Sequence, residues 1–220
     1  MQIWQILKDS FKQFYNNLLR SVLLSLCWFF PVFLLAAAAL TGISAGWIPP
    51  SVLAFLLVGP YTLSFLNEVK ELSEKGIFSI KNILIYFRKN FWRGLLAFLT
   101  AAAGYAVLII DLLFFFRRGS CNLLYMALSF LILYITIYFT IYQAYVWGLL
   151  IIQPDKKMRT VLKNALIISI DNIFFSLLFF AVLIFITLIL FLLGVGIPSV
   201  FMGFVGLIII NVSSRMLNQY

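Results

Sequence analysis

Histidine is absent from this chain of 220 residues, and only 10% of the residues are charged. A protein without histidine lacks the side chain that most often moves protons near neutral pH. The two cysteines, Cys27 and Cys121, are too few for a disulfide framework or a cysteine-based metal cluster. The sequence also has no phosphate-binding P-loop and no metal-ligand spacing. We therefore expect no cofactor, no metal and no enzymatic activity.

Apolar residues, by contrast, make up 64% of the chain. They form runs of about 18 residues or more, which are typical of transmembrane helices. The predicted spans are 20–42, 50–66, 93–116, 121–152 with a start near Cys121, 173–193 and 198–215. Amphipathic helices are predicted for 2–19, 77–92 and 154–170. The sequence thus predicts an all-α membrane protein, a single polytopic domain over 1–220 with six transmembrane helices. One N-terminal and two intervening amphipathic helices lie at the cytoplasmic surface.

Basic residues exceed acidic ones by 16 to 7, which gives a net charge of +9. Arg117 and Arg118 lie on one side of the predicted membrane. The other basic residues all flank the opposite side: Lys8, Lys12, Arg20, Lys70, Lys75, Lys81, Arg88, Lys89, Arg93, Lys156, Lys157, Arg159, Lys163 and Arg215. The positive-inside rule makes that side cytoplasmic, so both termini are expected in the cytoplasm. Topology accounts for the charge, so we expect anionic lipids as partners and no nucleic acid.

Glycine and proline predict where helices bend or end. Pro31 lies inside the first span and Gly59-Pro60 inside the second, so we expect kinks there. Gly76 is expected to end a continuation of the second span. Asp171 and Asn172 are expected to cap the start of the fifth span.

Three junctions between an amphipathic stretch and a span resemble one another. Asn17, Asn90 and Asn172 align at separations of 73 and 82 residues. The aligned residues that follow are Arg20, Arg93 and Phe175, then Ser21, Gly94 and Ser176. This pattern favours three tandem two-span repeats, 1–76, 77–153 and 154–220. The alternative is that any junction of this kind favours polar residues followed by arginine and small residues.

Four segments resemble the YesL-like family of bacterial membrane proteins, whose function is not established. They are "VGPYTLSF", "IYFRKNFWRGLL", "IIDLLFFFRRG" and "VLKNALIISI", in the same order along the chain, while "YQAYVWGLLII" departs from the family pattern. The resemblance implies an association with carbohydrate uptake, including ABC-type importers. This is an association of context and does not specify a mechanism.

Asp111 lies near the outer end of the third span, about 26 Å from its start. Arg117 and Arg118 follow. We expect Asp111 to face the bundle and to pair with one of these arginines while their side chains extend to the interface. The cluster is interpreted as a structural anchor, with a charged gate at the outer mouth as the alternative.

Tyr134, Tyr138, Tyr142 and Tyr145 form a stripe on the fourth span. Buried tyrosine hydroxyls need hydrogen-bond partners, so the stripe should face protein or a wet cavity. Aromatic packing between helices is one interpretation. A path on which sugars stack against the rings is the other.

Two functions follow from these observations. The first is a non-enzymatic membrane accessory or regulator of carbohydrate uptake that binds ABC-type transporter subunits. A homo-oligomer is a separate assembly that the sequence leaves open. The second is a small transporter or channel for sugars or another small solute. A continuous polar cavity would favour the transporter, whereas a sealed apolar bundle with exposed apolar cytoplasmic helices would favour the accessory.

Overall fold

The computed structural model describes residues 3–119 and 122–218, and the regular structure in this part is entirely helical. The predicted start of the fourth span at Cys121 lies outside the described residues. The helices are α1 (Ile3–Asn16), α2 (Leu18–Ser44), α3 (Ile48–Lys75), α4 (Ile80–Gly119), α5 (Leu123–Ile152), α6 (Met158–Asp171), α7 (Ile173–Leu192) and α8 (Gly196–Leu217). Six of them, all except α1 and α6, are long and apolar enough to cross a membrane. The predicted number and order of the spans are therefore confirmed.

The second span continues as a helix well beyond its apolar part, as predicted. Helix α3 ends at Lys75, and Gly76 follows in the left-handed conformation with φ of 66°. Its N–H group donates to the carbonyl group of Leu72. A residue without Cβ adopts this conformation without strain, so Gly76 stops the helix where the glycine predicted.

Helix α4 differs from the prediction of a separate amphipathic helix over 77–92. It is one helix of 40 residues, about 60 Å long, that passes through Asn90 without a break. The helical conformation is interrupted at Asn17 and at Asn172. Asn17 has φ of −121° and ψ of 30°, and Asn172 has φ of −118° and ψ of 44°. Asn16 and Asp171 precede those two breaks, whereas Lys89 precedes Asn90. Paired Asn or Asp side chains compete for backbone hydrogen bonds, while lysine favours the helix.

The cap that was expected at Asp171 and Asn172 takes a different form. Asp171 is the last residue of α6, and Asn172 stands at the N-cap position of α7. The Asn172 side chain makes no capping hydrogen bond to the first turn of α7. Its amide instead donates to the carbonyl group of Ile168 at 3.4 Å. The side chain therefore closes the preceding helix.

The six long helices form three hairpins, α2–α3, α4–α5 and α7–α8, around a common centre. The second helices of the hairpins, α3, α5 and α8, contact one another. Each first helix lies in a groove between two second helices: α2 between α3 and α8, α4 between α3 and α5, and α7 between α8 and α5. Each first helix thus packs against its own hairpin partner and against the second helix of the hairpin before it, in cyclic order.

Small residues let these helices approach closely. A Cβ atom on Gly94 of α4 would lie 2.6 Å from the Cα atom of Pro60 in α3. A Cβ atom on Gly203 of α8 would lie 3.0 Å from the carbonyl oxygen of Ser21 in α2. The N–H group of Gly203 also donates to the Ser25 hydroxyl at 2.9 Å. Close packing and interhelical hydrogen bonds of this kind hold helices together where lipid gives no hydrophobic driving force.

Candidate functional site at the basic end of the bundle

One end of the bundle, called the basic end, contains the start of α2, the end of α3 and the end of α8. Arg20, Arg93 and Arg215 all make contacts there. The short helices α1 and α6 and the first turns of α4 also pack at this end. These three segments are called the surface segments.

Each surface segment makes an equivalent polar pair with the second helix of the preceding hairpin or with the residue that follows that helix. Asp9 of α1 pairs with Arg215 of α8. The amide of Asn82 in α4 donates to the Glu71 carboxylate in α3 at 3.1 Å. The amide of Asn164 in α6 donates to the Gln153 side chain, which follows α5, at 3.1 Å. Residues 9, 82 and 164 are separated by 73 and 82 positions, the same separations as the aligned asparagines.

The two aligned arginines also have the same role. Arg20 of α2 donates to the carbonyl group of Gly76, which follows α3. Arg93 of α4 donates to the carbonyl groups of Gln153, at 2.9 Å, and Pro154, which follow α5. Each arginine therefore binds carbonyl oxygens at the C-terminal end of its own hairpin, where the helix dipole favours a positive charge. The third hairpin has Phe175 at this position, and its side chain carries no charge.

The aligned asparagines lie in two different settings. Asn17 and Asn172 each donate to the carbonyl group four residues earlier, at 3.4 Å. Asn90 instead lies inside α4 and lines a polar cleft of about 180 Å³ with Lys70, Glu71 and other residues.

The small residues that follow the three asparagines are all buried. Ser21 lies against Gly203, Gly94 lies against Pro60, and the Ser176 hydroxyl lies 3.1 Å from that of Tyr145. In every hairpin the contact is with the second helix of the hairpin before it.

The sequence contains a signal for the polar pairs that inspection of the junctions missed. A lysine directly precedes each residue of the surface segments that forms a polar pair, as Lys8-Asp9, Lys81-Asn82 and Lys163-Asn164. An apolar residue precedes each lysine. An alignment that extends ten residues upstream of the asparagines contains this pattern.

Glu68 is a buried acid that the sequence did not single out. Its side chain is fully buried near the end of α3, and one carboxylate oxygen accepts a hydrogen bond of 2.7 Å from the N–H group of Ser79. Ser79 directly precedes α4, so the Glu68 side chain lies at the N-terminus of that helix. The other carboxylate oxygen has no hydrogen-bond partner among the described residues.

The four tyrosines of the predicted stripe have different surroundings. Tyr138 donates to the Ser169 hydroxyl at 3.0 Å, and Tyr145 is fully buried beside Ser176. Tyr142 is half-buried, with its ring centre 5.9 Å from that of Phe139. Tyr134 is 49% exposed near the opposite end of α5. Two hydroxyls of the stripe thus meet serine partners on α6 and α7.

The three charged residues near the outer end of α4 differ in their exposure. Asp111 is half-buried, whereas Arg117 and Arg118 are exposed. The guanidinium group of Arg118 lies 4.3 Å from the centre of the Phe114 ring. The expected pair of Asp111 with one of the two arginines is not among the ion pairs that join described residues. Arg118 instead lies over the aromatic ring one helical turn away, which attracts a cation through its face.

The predicted kink residues lie at helix contacts. Helices α2 and α3 continue through Pro31 and Pro60. Pro31 lacks the N–H group that would bond to the Cys27 carbonyl, and the Tyr61 hydroxyl of α3 donates to that carbonyl at 2.7 Å. A Cβ atom on Gly59 would lie 2.7 Å from the carbonyl oxygen of Gly94. Gly59 and Pro60 therefore form the crossing point of α3 with α4.

Side chains fill the centre of the bundle where α3, α5 and α8 meet. Gly206 of α8 faces Leu66 and Val69 of α3, and a Cβ atom there would lie 3.2 to 3.6 Å from them. Gly148 of α5 faces Ser213 of α8, whose hydroxyl is buried. Three clefts on the outside of the bundle are lined almost wholly by apolar side chains. Within the described residues, no group of three or more cysteine, aspartate or glutamate side chains could hold a metal.

No protein-family model, no curated protein and no solved structure matches this chain.

Proposed function

We propose that this protein is a non-enzymatic membrane accessory or regulatory component associated with carbohydrate uptake. The observation that carries the proposal is the packed centre of the bundle, where glycines bring α3, α5 and α8 into direct contact. A permanently open path between these helices would need space that the side chains occupy. Such a molecule is better suited to binding other proteins than to conducting solutes alone.

The surface segments supply a docking surface for a partner. Trp4 of α1 is 76% exposed and Trp92 of α4 is 71% exposed, and Phe11 and Tyr15 are also exposed. Large aromatic side chains of this kind dominate the energetics of protein interfaces. Combined with the resemblance to YesL-like proteins, this surface favours subunits of an ABC-type carbohydrate importer as the partner.

The proposed setting is a bacterial plasma membrane with both termini in the cytoplasm. The excess of lysine and arginine at the basic end supports this orientation. The proposed architecture is three tandem repeats, 1–76, 77–153 and 154–220. The cyclic packing of the hairpins and the equivalent polar pairs at residues 9, 82 and 164 support the repeats.

Purification in a mild detergent tests the accessory function. The tagged protein should recover ABC importer subunits in a fixed ratio from its native host. Trp4→Ser and Trp92→Ser should reduce that recovery. Leu123→Ser and Leu192→Ser, both at positions 82% exposed at the opposite end, are matched controls. Recovery of the chain alone, or only as a homo-oligomer, would contradict the accessory function.

A small transporter or channel is the alternative function, and one observation favours it. Gln143 is only 5% exposed in α5, and its side-chain oxygen has no hydrogen-bond partner among the described residues. Polar groups inside a membrane bundle often mark a substrate pathway. Sugar flux into liposomes that contain the pure protein, lost in Gln143→Leu, would establish this alternative. No flux above that of empty liposomes would exclude it.

A further inference from the structure

Three lysines occupy equivalent positions on the surface segments. Lys8, Lys81 and Lys163 are separated by 73 and 82 residues, and all three are exposed. Each directly precedes the residue that forms the polar pair with a neighbouring helix. None of the three takes part in an ion pair within the described parts of the chain. The pattern thus places an exposed positive charge next to a residue whose side chain is bonded to the bundle.

An apolar cleft adjoins Lys81. One helical turn after Lys81, Leu84 lines a cleft of about 420 Å³ together with Phe30 and Pro31 of α2 and Tyr61 of α3. Phe30 and Leu84 are more than half exposed, so the cleft opens to the outside of the bundle. Only apolar side chains and the Tyr61 ring are available to an occupant, because the Tyr61 hydroxyl is bonded to the Cys27 carbonyl.

A second cleft adjoins Lys8 in the same way. One turn after Lys8, Phe11 lines a cleft of about 270 Å³ with Ile186 of α7 and Phe204 of α8. Ile186 and Pro31 are separated by 155 residues, as are Lys163 and Lys8. The two clefts therefore lie at equivalent places, each between a surface segment and the hairpin that packs beside it.

The third equivalent place is filled by the protein itself. Gly104 of α4 corresponds to Pro31, because 73 residues separate them as they separate Lys81 from Lys8. The ring of Phe139 lies directly on Gly104, and its centre is 5.0 Å from that of Tyr105. Beside them, Tyr138 is bonded to Ser169 of α6. Lys163 thus has the same charge and exposure as the other two lysines, but Phe139 occupies the space that corresponds to their clefts.

We propose that Lys8 and Lys81 each bind the phosphate group of an anionic phospholipid, with one acyl chain lying in the adjoining cleft. The cleft accepts hydrocarbon because its lining is apolar, and the unpaired lysine at the same surface supplies the charge for the headgroup. No acidic residue occurs from Ile77 to Arg93, so every charged residue of the surface segment beside the larger cleft is basic. The site does not depend on the proposed accessory function.

Native mass spectrometry of protein that carries bound lipid tests this proposal. The protein is equilibrated in detergent with equal amounts of phosphatidylglycerol and phosphatidylcholine, and the ratio of the bound lipids is measured. Lys8→Gln and Lys81→Gln should each lower the phosphatidylglycerol preference of the adjoining site by about fivefold, the effect of one basic side chain near an anionic surface. Lys163→Gln is the matched control and should leave the ratio unchanged.

Two further measurements distinguish the contribution of the lipid headgroup to binding from that of the acyl chain. Leu84→Trp fills the larger cleft without changing the charge, so it should remove one bound lipid of either kind. Inorganic phosphate should not displace the lipid, and displacement would overturn the role of the acyl chain. Equal loss of preference in all three lysine variants, or no preference in the unaltered protein, would overturn the proposal. Melting temperatures of the variants verify that each one is folded.

Discussion

The hydroxyl group of Tyr61 donates a 2.7 Å hydrogen bond to the carbonyl group of Cys27, the acceptor that Pro31 leaves without its helical donor. The proline lies in α2 and the tyrosine in α3, so a side chain of the second helix of the hairpin replaces a hydrogen bond that the first helix lacks. A proline inside a transmembrane helix is tolerated where a neighbouring group bonds to the freed carbonyl. Here a side chain of the next helix does so.

A double-mutant cycle tests this relationship. Tyr61→Phe should lower the free energy of unfolding by about 1 kcal/mol, because it leaves the Cys27 carbonyl without a donor. In the Pro31→Ala background, the alanine restores a backbone N–H group that donates to this carbonyl, so Tyr61→Phe should have almost no effect. Unfolding in mixed micelles measures the effect of Tyr61→Phe on the free energy of unfolding in each background. Equal losses in the two backgrounds would contradict the compensation.

The crossing of α3 and α4 should tolerate no side chain at Gly94. Gly94→Ala places a Cβ atom 2.6 Å from the Cα atom of Pro60, and both backbones must then move apart. We expect a loss of about 2 kcal/mol in the free energy of unfolding, which is typical of overpacking. Gly119→Ala is the comparison variant, because a Cβ atom there would lie 3.3 Å from its nearest atom, so the neighbour needs to move by only a few tenths of an ångström and the loss should be smaller. A neutral Gly94→Ala would mean that the helices are not in close contact.

Arg93 should stabilise the end of α5 through the shape of its guanidinium group. One of its nitrogen atoms donates to the Gln153 carbonyl at 2.9 Å and to the Lys156 carbonyl at 3.3 Å. Arg93→Lys keeps the charge but cannot reach several carbonyl groups at once. We expect a loss of about 1 kcal/mol and faster hydrogen exchange at residues 153–157. Arg88→Lys, at an exposed position, should change neither the free energy of unfolding nor the hydrogen exchange. An equal effect of both variants would contradict the stabilising role of the Arg93 guanidinium group.

Glu68 should hold the connection between α3 and α4 against the bundle. Glu68→Gln keeps an oxygen that can accept from the Ser79 N–H group, so it should change stability little. Glu68→Ala removes the acceptor and should cost about 2 kcal/mol.

Limited proteolysis detects whether the connection between α3 and α4 has come loose, because Lys75 and Lys81 flank it. Trypsin should cut Glu68→Ala there several-fold faster than Glu68→Gln. Glu74→Ala, which alters an exposed acid of the same helix, is the control. Equal rates for the two Glu68 variants would show that the carboxylate does not anchor Ser79.

The six spans could be predicted because hydropathy is a local property of each segment. Any run of about 20 apolar residues becomes a helix in lipid, since no other structure satisfies its backbone groups. Gly76 likewise stops α3 through its own conformation. The separate helix predicted over 77–92 does not form, because Lys89 precedes Asn90 where the other two junctions have a second Asn or Asp residue.

The candidate sites were harder to predict because they depend on which helices meet. The spacing of the tyrosines placed them on one side of α5, but only the packing brought Tyr138 to Ser169 and left Tyr134 exposed. Asp111 and Arg118 lie on one helix, yet Arg118 lies over Phe114. Glu68 showed no signal, since its burial depends on a contact with the start of α4.

The sequence alone determined the class of the molecule, the order of its spans and the spacing of its repeated junctions. These follow from composition and from periodicity within single segments. Only the tertiary structure decided that α3, α5 and α8 fill the centre, and that two of three equivalent clefts stay open while Phe139 fills the third place. Those outcomes depend on where a glycine in one helix meets a bulky side chain of another, which no single segment specifies.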